Sequence, residues 1–205
     1  MLQIYGSANT RSTRATWALE EAGAEYEFIS IDFSKGEHRS QKLLSANPNG
    51  KVPTLIDGDF ILAESAAICT YIGEKFPASH LVPTNLQERA SYLQWCFFVM
   101  SELETPLWNK LKYTTLYPEQ LRVPNVVNTC LWEFERAAKI LTQHLEGREY
   151  VVGEQFSAAD IMVSLTLGWA QKSDVTLNAT LESYAQRLWA RPALAKARAR
   201  ESSAA

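Results

Sequence analysis

Apolar and polar positions change their period along this chain, and the changes mark its elements. Leu2 and Ile4 alternate with Gln3 and Tyr5, the two-residue period of a short strand. Ala15, Ala18, Leu19 and Ala22 then recur at helical spacing, which predicts a helix over 11–22 ending near Gly23. A β-rich run follows from Tyr26 to Ile31, and residues 38–45 form a short, weak helical pattern. Thr54–Ile56 and Phe60–Leu62 flank Asp57-Gly58, a hairpin signal. Ile68, Cys69, Ile72 and Phe76 mark a helix that stops at Pro77. The order β-α-β-α-β-β-α implies a right-handed parallel crossover closed by an antiparallel hairpin, hence a small mixed sheet with helices on its faces.

After Pro77 the strand period disappears. The stretch P-A-S-H-L-V-P-T-N reads as a linker, giving an α/β domain over 1–77, a linker over 78–85 and an all-helical domain over 86–205. Residues 86–104 carry Ala90, Leu93, Phe97 and Met100 on one stripe, expected to face the core. Residues 125–145 carry Val127, Cys130, Leu131, Phe134, Ala138, Leu141 and Leu145. In F-S-A-A-D-I, Ser157 and Asp160 have capping-box spacing, with Phe156 and Ile161 placed as a hydrophobic staple. The tail Glu201–Ala205 is expected to fray.

Composition narrows the function classes. The 205 residues are ample for a packed core, and 46% hydrophobic with 21% charged is ordinary globular usage. A net charge of −3 with no basic run argues against nucleic acid as partner. No apolar run reaches membrane-spanning length, and the N-terminus lacks signal-peptide character, so a cytoplasmic protein is expected. Cys69, Cys96 and Cys130 are far apart among apolar residues, which suits buried free thiols and no metal site.

Three stretches carry candidate chemistry. Pro53 lacks an N–H and cannot extend a central ladder, so the backbone of Val52 is left for a ligand that pairs like an added strand. The plain alternative is that Pro53 only protects an edge. Ser65 suits the N-cap of the helix that it precedes; the helix N-terminus would hold a carboxylate and Glu64 an ammonium. That pair fits an amino-acid head group, although capping alone accounts for Ser65. Y-G-S-A-N-T-R-S-T-R, residues 5–14, puts many hydroxyls at a helix entry, where one can stabilise a thiolate or simply cap the helix.

In order and spacing these stretches resemble the cytosolic glutathione transferases. The resemblance covers essentially the whole chain, through N-P-x-G-K-V-P-T-L, E-S-A-A-I, F-S-A-A-D-I and R-P-A-L-A-K-A. It implies a thioredoxin-like first domain, a cis Val52-Pro53 bond, and transfer of the glutathione thiolate to small apolar electrophiles in detoxification. Glutathione is then a co-substrate, with no cofactor besides. Glutathione-dependent disulfide or peroxide reduction, and non-catalytic glutathione binding by a regulator, are the alternatives. By the same resemblance Val52 pairs with the cysteinyl unit, Glu64 and Ser65 hold the γ-glutamyl end, and His38, Lys35 and Lys51 approach the glycyl end. Thr10 takes the place of the theta-class serine as thiol activator, with Arg14 following in the same helix and Asn9, Ser12 and Tyr5 as alternatives. Ser101 and Glu102 match a beta-class pair that reaches glutathione of the neighbouring subunit in a homodimer, while the family histidine beyond them is Glu104. Tyr92, Trp95, Phe98, Trp108 and Tyr113 are candidates for an acceptor pocket, although aromatics so placed are more often core or dimer contacts.

Overall fold

The computed structural model describes residues 1–204, in two compact units: Met1–Val82 with Ala190–Ala205, and Pro83–Trp189. In the first unit, β1 (Leu2–Gly6), β2 (Tyr26–Ser30), β3 (Thr54–Asp57) and β4 (Phe60–Ala63) form one sheet of order β2-β1-β3-β4. β1 and β2 are parallel, joined through α1 (Ser12–Glu21), and the other pairings are antiparallel. α2 (Gln41–Ala46) lies between β2 and β3, and α3 (Ser65–Lys75) follows β4. Strand alternation sends Leu2 and Ile4 to one face and Tyr5 to the other, where Tyr5 packs with Ile31 and Leu43. The hairpin turn sits one residue later than its dipeptide suggested. Asp57 pairs with Phe60, so Gly58-Asp59 is the two-residue loop, with Gly58 at φ +61.

Gly6 ends β1 under tight constraint. A Cβ there would stand 2.5 Å from Cε2 of Phe28 and 2.9 Å from Cβ of Ser12. Only glycine lets the loop after β1 lie this close to β2 and the start of α1.

The second unit is helical: α4 (Leu86–Phe98), α5 (Thr105–Leu111), α6 (Val126–Leu145), α7 (Ala158–Lys172) and α8 (Ala179–Trp189). π-helical turns at Val99–Leu103 and Lys112–Leu116 flank α5. The orientation expected for 86–104 is reversed. Leu93 is 36% and Phe97 69% exposed, and Ala90 is exposed too, whereas Tyr92, Trp95, Cys96, Val99 and Leu103 are buried. Both stripes are apolar at helical spacing, so periodicity does not select one, and the bulkier set fills the core.

α9 (Pro192–Ser203) packs on α1 in the first unit, although the sequence placed it with the helical segment. The expected fraying is not seen through Ser203. Glu201 is only 1% exposed, and Ala205 lies outside the described residues.

Candidate functional site

The sheet register brings the three sequence stretches to one end. Tyr5 pairs with Thr54, and Thr54 with Ala63. The loop leaving β1, the Val52-Pro53 step entering β3 and the Glu64-Ser65 step leaving β4 therefore emerge side by side. Gly6 pairs with Ser30 and its carbonyl accepts the N–H of Ile31, so the segment leading to His38 leaves from the same end.

The Val52-Pro53 peptide bond is cis. Among the described residues, the backbone groups of Val52 have no hydrogen-bond partner, and Val52 is half-buried. The loop is built around Asn47, a residue the sequence reading quoted without a role. Asn47 is 4% exposed; its Nδ2 donates to the Lys51 carbonyl at 2.9 Å and to Thr54 Oγ1 at 3.2 Å. Its Oδ1 accepts the Asn49 N–H and its carbonyl accepts the Gly50 N–H. Asn47 thus fixes four residues around Val52, three through its buried side-chain amide and one through its carbonyl.

Ser65 is the first residue of α3, not its cap. Glu64 holds the cap position at φ +68, and no side chain caps the helix. A left-handed glutamate costs on the order of 1–3 kcal/mol and persists only where its surroundings impose it. The result is an exposed Glu64 carboxylate beside an open helix N-terminus. Arg14 is 2% exposed and its Nη1 donates to Ser65 Oγ at 3.1 Å. A buried guanidinium and the α3 dipole therefore both favour an anion at Ser65.

In the loop before α1, Thr10 Oγ1 accepts the Ser12 N–H at 3.1 Å. Its proton points either to the Ser7 carbonyl at 2.7 Å or to Ser12 Oγ at 2.9 Å. Accepting an N–H polarises the hydroxyl and makes it a better donor. Thr10 is half-buried and Asn9 exposed at φ +59, whereas Ser12 is fully enclosed and Tyr5 is 3% exposed. Ser12 Oγ is engaged by the Ser7 N–H, and the Tyr5 ring lies 5.2 Å from the Lys42 ammonium.

His38 is half-buried, tilted against Phe33, and its Nδ1 is enclosed without a partner. A Cβ on Gly50 would stand 2.7 Å from the His38 carbonyl, so the two loops touch. Lys35 is paired with Asp32 at 3.3 Å, and the Ser34 hydroxyl and N–H hold the Asp32 carboxyl down at about 2. Lys51 is exposed.

In the helical unit, Ser101 and Glu102 are exposed on the first π-helical turn, and Ser101 Oγ donates to the Phe97 carbonyl. Trp95 is 5% exposed, edge-on to Phe98 and 4.3 Å from the His144 ring, and Tyr92 is fully buried. Both pack in the core of the helical unit. Phe98 is half-buried; Trp108 and Tyr113 are half-buried with the Lys112 ammonium 5.6 and 5.5 Å from their rings.

A four-stranded sheet with helices, a cis proline just before the interior strand β3 and a following helical unit define a thioredoxin-like domain joined to an all-helical one. The family models "Glutathione S-transferase, N-terminal domain" and "Glutathione S-transferase, C-terminal domain" match residues 2–74 and 110–192. The chain is 37% identical to the probable glutathione S-transferase GSTF2 of Oryza sativa subsp. japonica over 165 residues, 78% of this chain and 76% of that protein. It is 27% identical over 206 residues to the disulfide-bond oxidoreductase YfcG of Escherichia coli (strain K12), covering 96% and 94%. A glutathione transferase homologue from Sulfitobacter, solved with bound glutathione, superposes with a TM-score of 0.85 at 26% identity over 96% of each chain. The chain belongs to the glutathione S-transferase family, and is a transferase enzyme with glutathione as co-substrate.

Proposed function

We propose that the enzyme activates glutathione with Thr10 and transfers its thiolate to small apolar electrophiles. The observation that carries this is the convergence of Thr10, the unpaired backbone of Val52 and the Glu64-Ser65-Arg14 cluster at one end of the sheet. Val52 pairs with the cysteinyl unit. Ser65 and the α3 N-terminus hold the γ-glutamyl carboxylate, and Glu64 its ammonium. His38 and Lys51 meet the glycyl carboxylate, with Lys35 a second contact on release from Asp32. Phe98, Trp108 and Tyr113 contact the acceptor. A detoxifying role follows from such substrates, and three free buried thiols suit a cytoplasmic setting. Among the described residues no helix is long and apolar enough to cross a membrane.

A free thiol has a pKa of about 8.5; lowering it to about 6.5 needs about 2.7 kcal/mol of preferential thiolate stabilisation. A charge-assisted hydrogen bond supplies about 1.5–3 kcal/mol, so Thr10 with help from the α1 dipole suffices. Thr10→Val keeps the shape and removes the donor. It is expected to lower kcat on an aryl halide by about 10- to 100-fold. Glutathione affinity should change little, and an unchanged kcat would remove Thr10 from this role.

The relationship to YfcG favours disulfide reduction as the second reading. The same assay separates them: conjugate as product supports transfer, and oxidised glutathione from a mixed disulfide supports reduction. We further propose a homodimer, in which Ser101 and Glu102 reach the neighbour's glutathione. The solvent-facing Leu93 and Phe97 on α4 support it. Light scattering is expected to give twice the 23.1 kDa chain mass, and a stable monomer would contradict the proposal.

A further inference from the structure

The second π-helical turn, Lys112–Leu116, closes with the Tyr117 N–H donating to the Lys112 carbonyl at 3.0 Å. Such turns are rare and concentrate at functional sites. This one gathers aromatic rings. Tyr113 and Tyr117 meet edge to face at 5.4 Å, and Trp108, one turn earlier on α5, meets Trp169 of α7 at 6.4 Å. All four residues are half-buried.

The Lys112 ammonium lies 5.6 Å from the Trp108 ring and 5.5 Å from the Tyr113 ring. Lys112 is itself half-buried, and among the described residues its ammonium has no carboxylate and no hydrogen-bond acceptor. Cations elsewhere in the chain lie over rings with a partner: Lys75 over Tyr71 is paired with Asp57, and Arg200 over Tyr26 with Glu20. The segment around Lys112 sharpens the contrast. Residues 108–123 carry Lys110, Lys112 and Arg122 against Glu119, in a chain of net charge −3. Lys110 donates to the Ser173 carbonyl at 2.7 Å, and Arg122 donates to the Tyr117 and Thr115 carbonyls at 2.8 and 3.0 Å. Of these three cations, Lys112 is the one whose charge is met, among the described residues, by ring faces. A ring face compensates an ammonium more weakly than a carboxylate in hydrogen-bond contact does.

We propose that Lys112 is a specificity-determining residue: with Trp108 and Tyr113 it selects acceptors in which an aromatic electrophile carries a carboxylate. This rests on the reading of Trp108 and Tyr113 as acceptor contacts, and narrows it. The ring of the acceptor packs on the aromatic side chains, and its carboxylate pairs with the ammonium. A neutral ring would leave Lys112 as it is, and an aliphatic anion would leave the rings uncovered. A suitable acceptor is a chloronitrobenzoate with chlorine para to the carboxylate and the nitro group beside the chlorine. The glutathione sulfur, its proton already lost to solvent, bonds to the carbon that bears chlorine, and chloride leaves with the electron pair of the C–Cl bond. The carboxylate is unchanged.

The test compares this benzoate with the corresponding benzamide, its neutral isostere, on the full-length enzyme with glutathione. The two differ in intrinsic reactivity, so each variant is read as a ratio to wild type on the same compound. Lys112→Met keeps the stem and removes the charge; kcat/KM is expected to fall about 10-fold on the benzoate and to stay within about 2-fold on the benzamide. Lys112→Arg restores the charge and is expected to recover the benzoate to within about 3-fold of wild type. Lys110→Met is the control for the general field of the segment, and should stay within about 2-fold on both compounds. Equal falls on both compounds in Lys112→Met, or a loss on the benzoate as large in Lys110→Met, would overturn the proposal and leave Lys112 a packing contact. If the wild type conjugates neither compound, the transfer reading fails for this class, and binding decides the site by itself. Calorimetric titration with meta-nitrobenzoate and meta-nitrobenzamide, which have no halide to displace, then measures it. Tighter binding of the benzoate by wild type, lost in Lys112→Met, supports the proposal, and equal binding of the two by wild type overturns it.

Discussion

Ser65→Ala is expected to weaken glutathione binding by about 10- to 150-fold, the loss of one hydrogen bond to a charged group. The size follows from where Ser65 sits. It is the first residue of α3, its hydroxyl is not consumed in capping, and it is 2% exposed, where water does not replace a lost partner. Arg14 donates to its Oγ at 3.1 Å, so alanine also removes an acceptor from a buried guanidinium and lets that side chain shift. The open N–H groups of α3 remain and hold part of the carboxylate interaction, which is why binding weakens rather than vanishes. Calorimetric titration of both proteins with glutathione measures the ratio. Glu64→Gln is the companion: it keeps size and removes the charge that faces an ammonium. Equal affinity of wild type and Ser65→Ala would sink the assignment of the γ-glutamyl end. A fall in kcat at unchanged affinity would move Ser65 to the chemical step.

Local signals in this chain were legible where one segment determines its own geometry. The hairpin, the crossover order and the Ser157-Asp160 spacing are all set by residues within a few positions of each other. Features that depend on a remote partner were not. Ser65 reads as an N-cap, but its partner is Arg14, fifty-one positions earlier, and Glu64 takes the cap position instead. E-S-S-A-A reads as a frayed end because nothing local needs Glu201; its donors lie 185 and 188 positions away. On α4 two apolar stripes compete, and which faces the core is decided by the helices that pack on it. Asn47 was visible only as a letter of a motif; its task is to satisfy backbone groups whose positions the sequence does not state.

The largest loss of stability is expected from Asp160→Ala. Asp160 is fully buried and its two oxygens serve four donors. Oδ1 accepts the Val151 N–H at 2.9 Å and the Tyr184 hydroxyl at 2.6 Å. Oδ2 accepts the Ser157 N–H at 2.8 Å and the Ser157 hydroxyl at 2.9 Å. The capping box read from sequence is therefore half of the site; the other half ties the segment before α7, and α8 behind it, to the same carboxylate. Alanine leaves two buried backbone N–H groups without acceptors, at about 1–3 kcal/mol each, and frees two hydroxyls to find other partners. A total of about 3–5 kcal/mol is a large share of the roughly 5–15 kcal/mol that holds a domain folded. At about 2–4 °C per kcal/mol for a chain of this size, Tm should fall by about 6–20 °C. Asp160→Asn should cost less, since the hydroxyls of Ser157 and Tyr184 can turn to accept from the amide while a backbone N–H cannot. The pH dependence has a definite sign. Burial holds the Asp160 carboxyl above its ordinary value, so the folded protein takes up this proton first as pH falls. The linked stability is fully present below the unfolded carboxylate pKa and is lost as pH rises through the folded one. Asp160→Asn removes that linkage, so the difference in Tm between wild type and Asp160→Asn should shrink as pH rises through that window. A constant difference would mean that the carboxylate does not change protonation there, and that the four hydrogen bonds alone set its contribution.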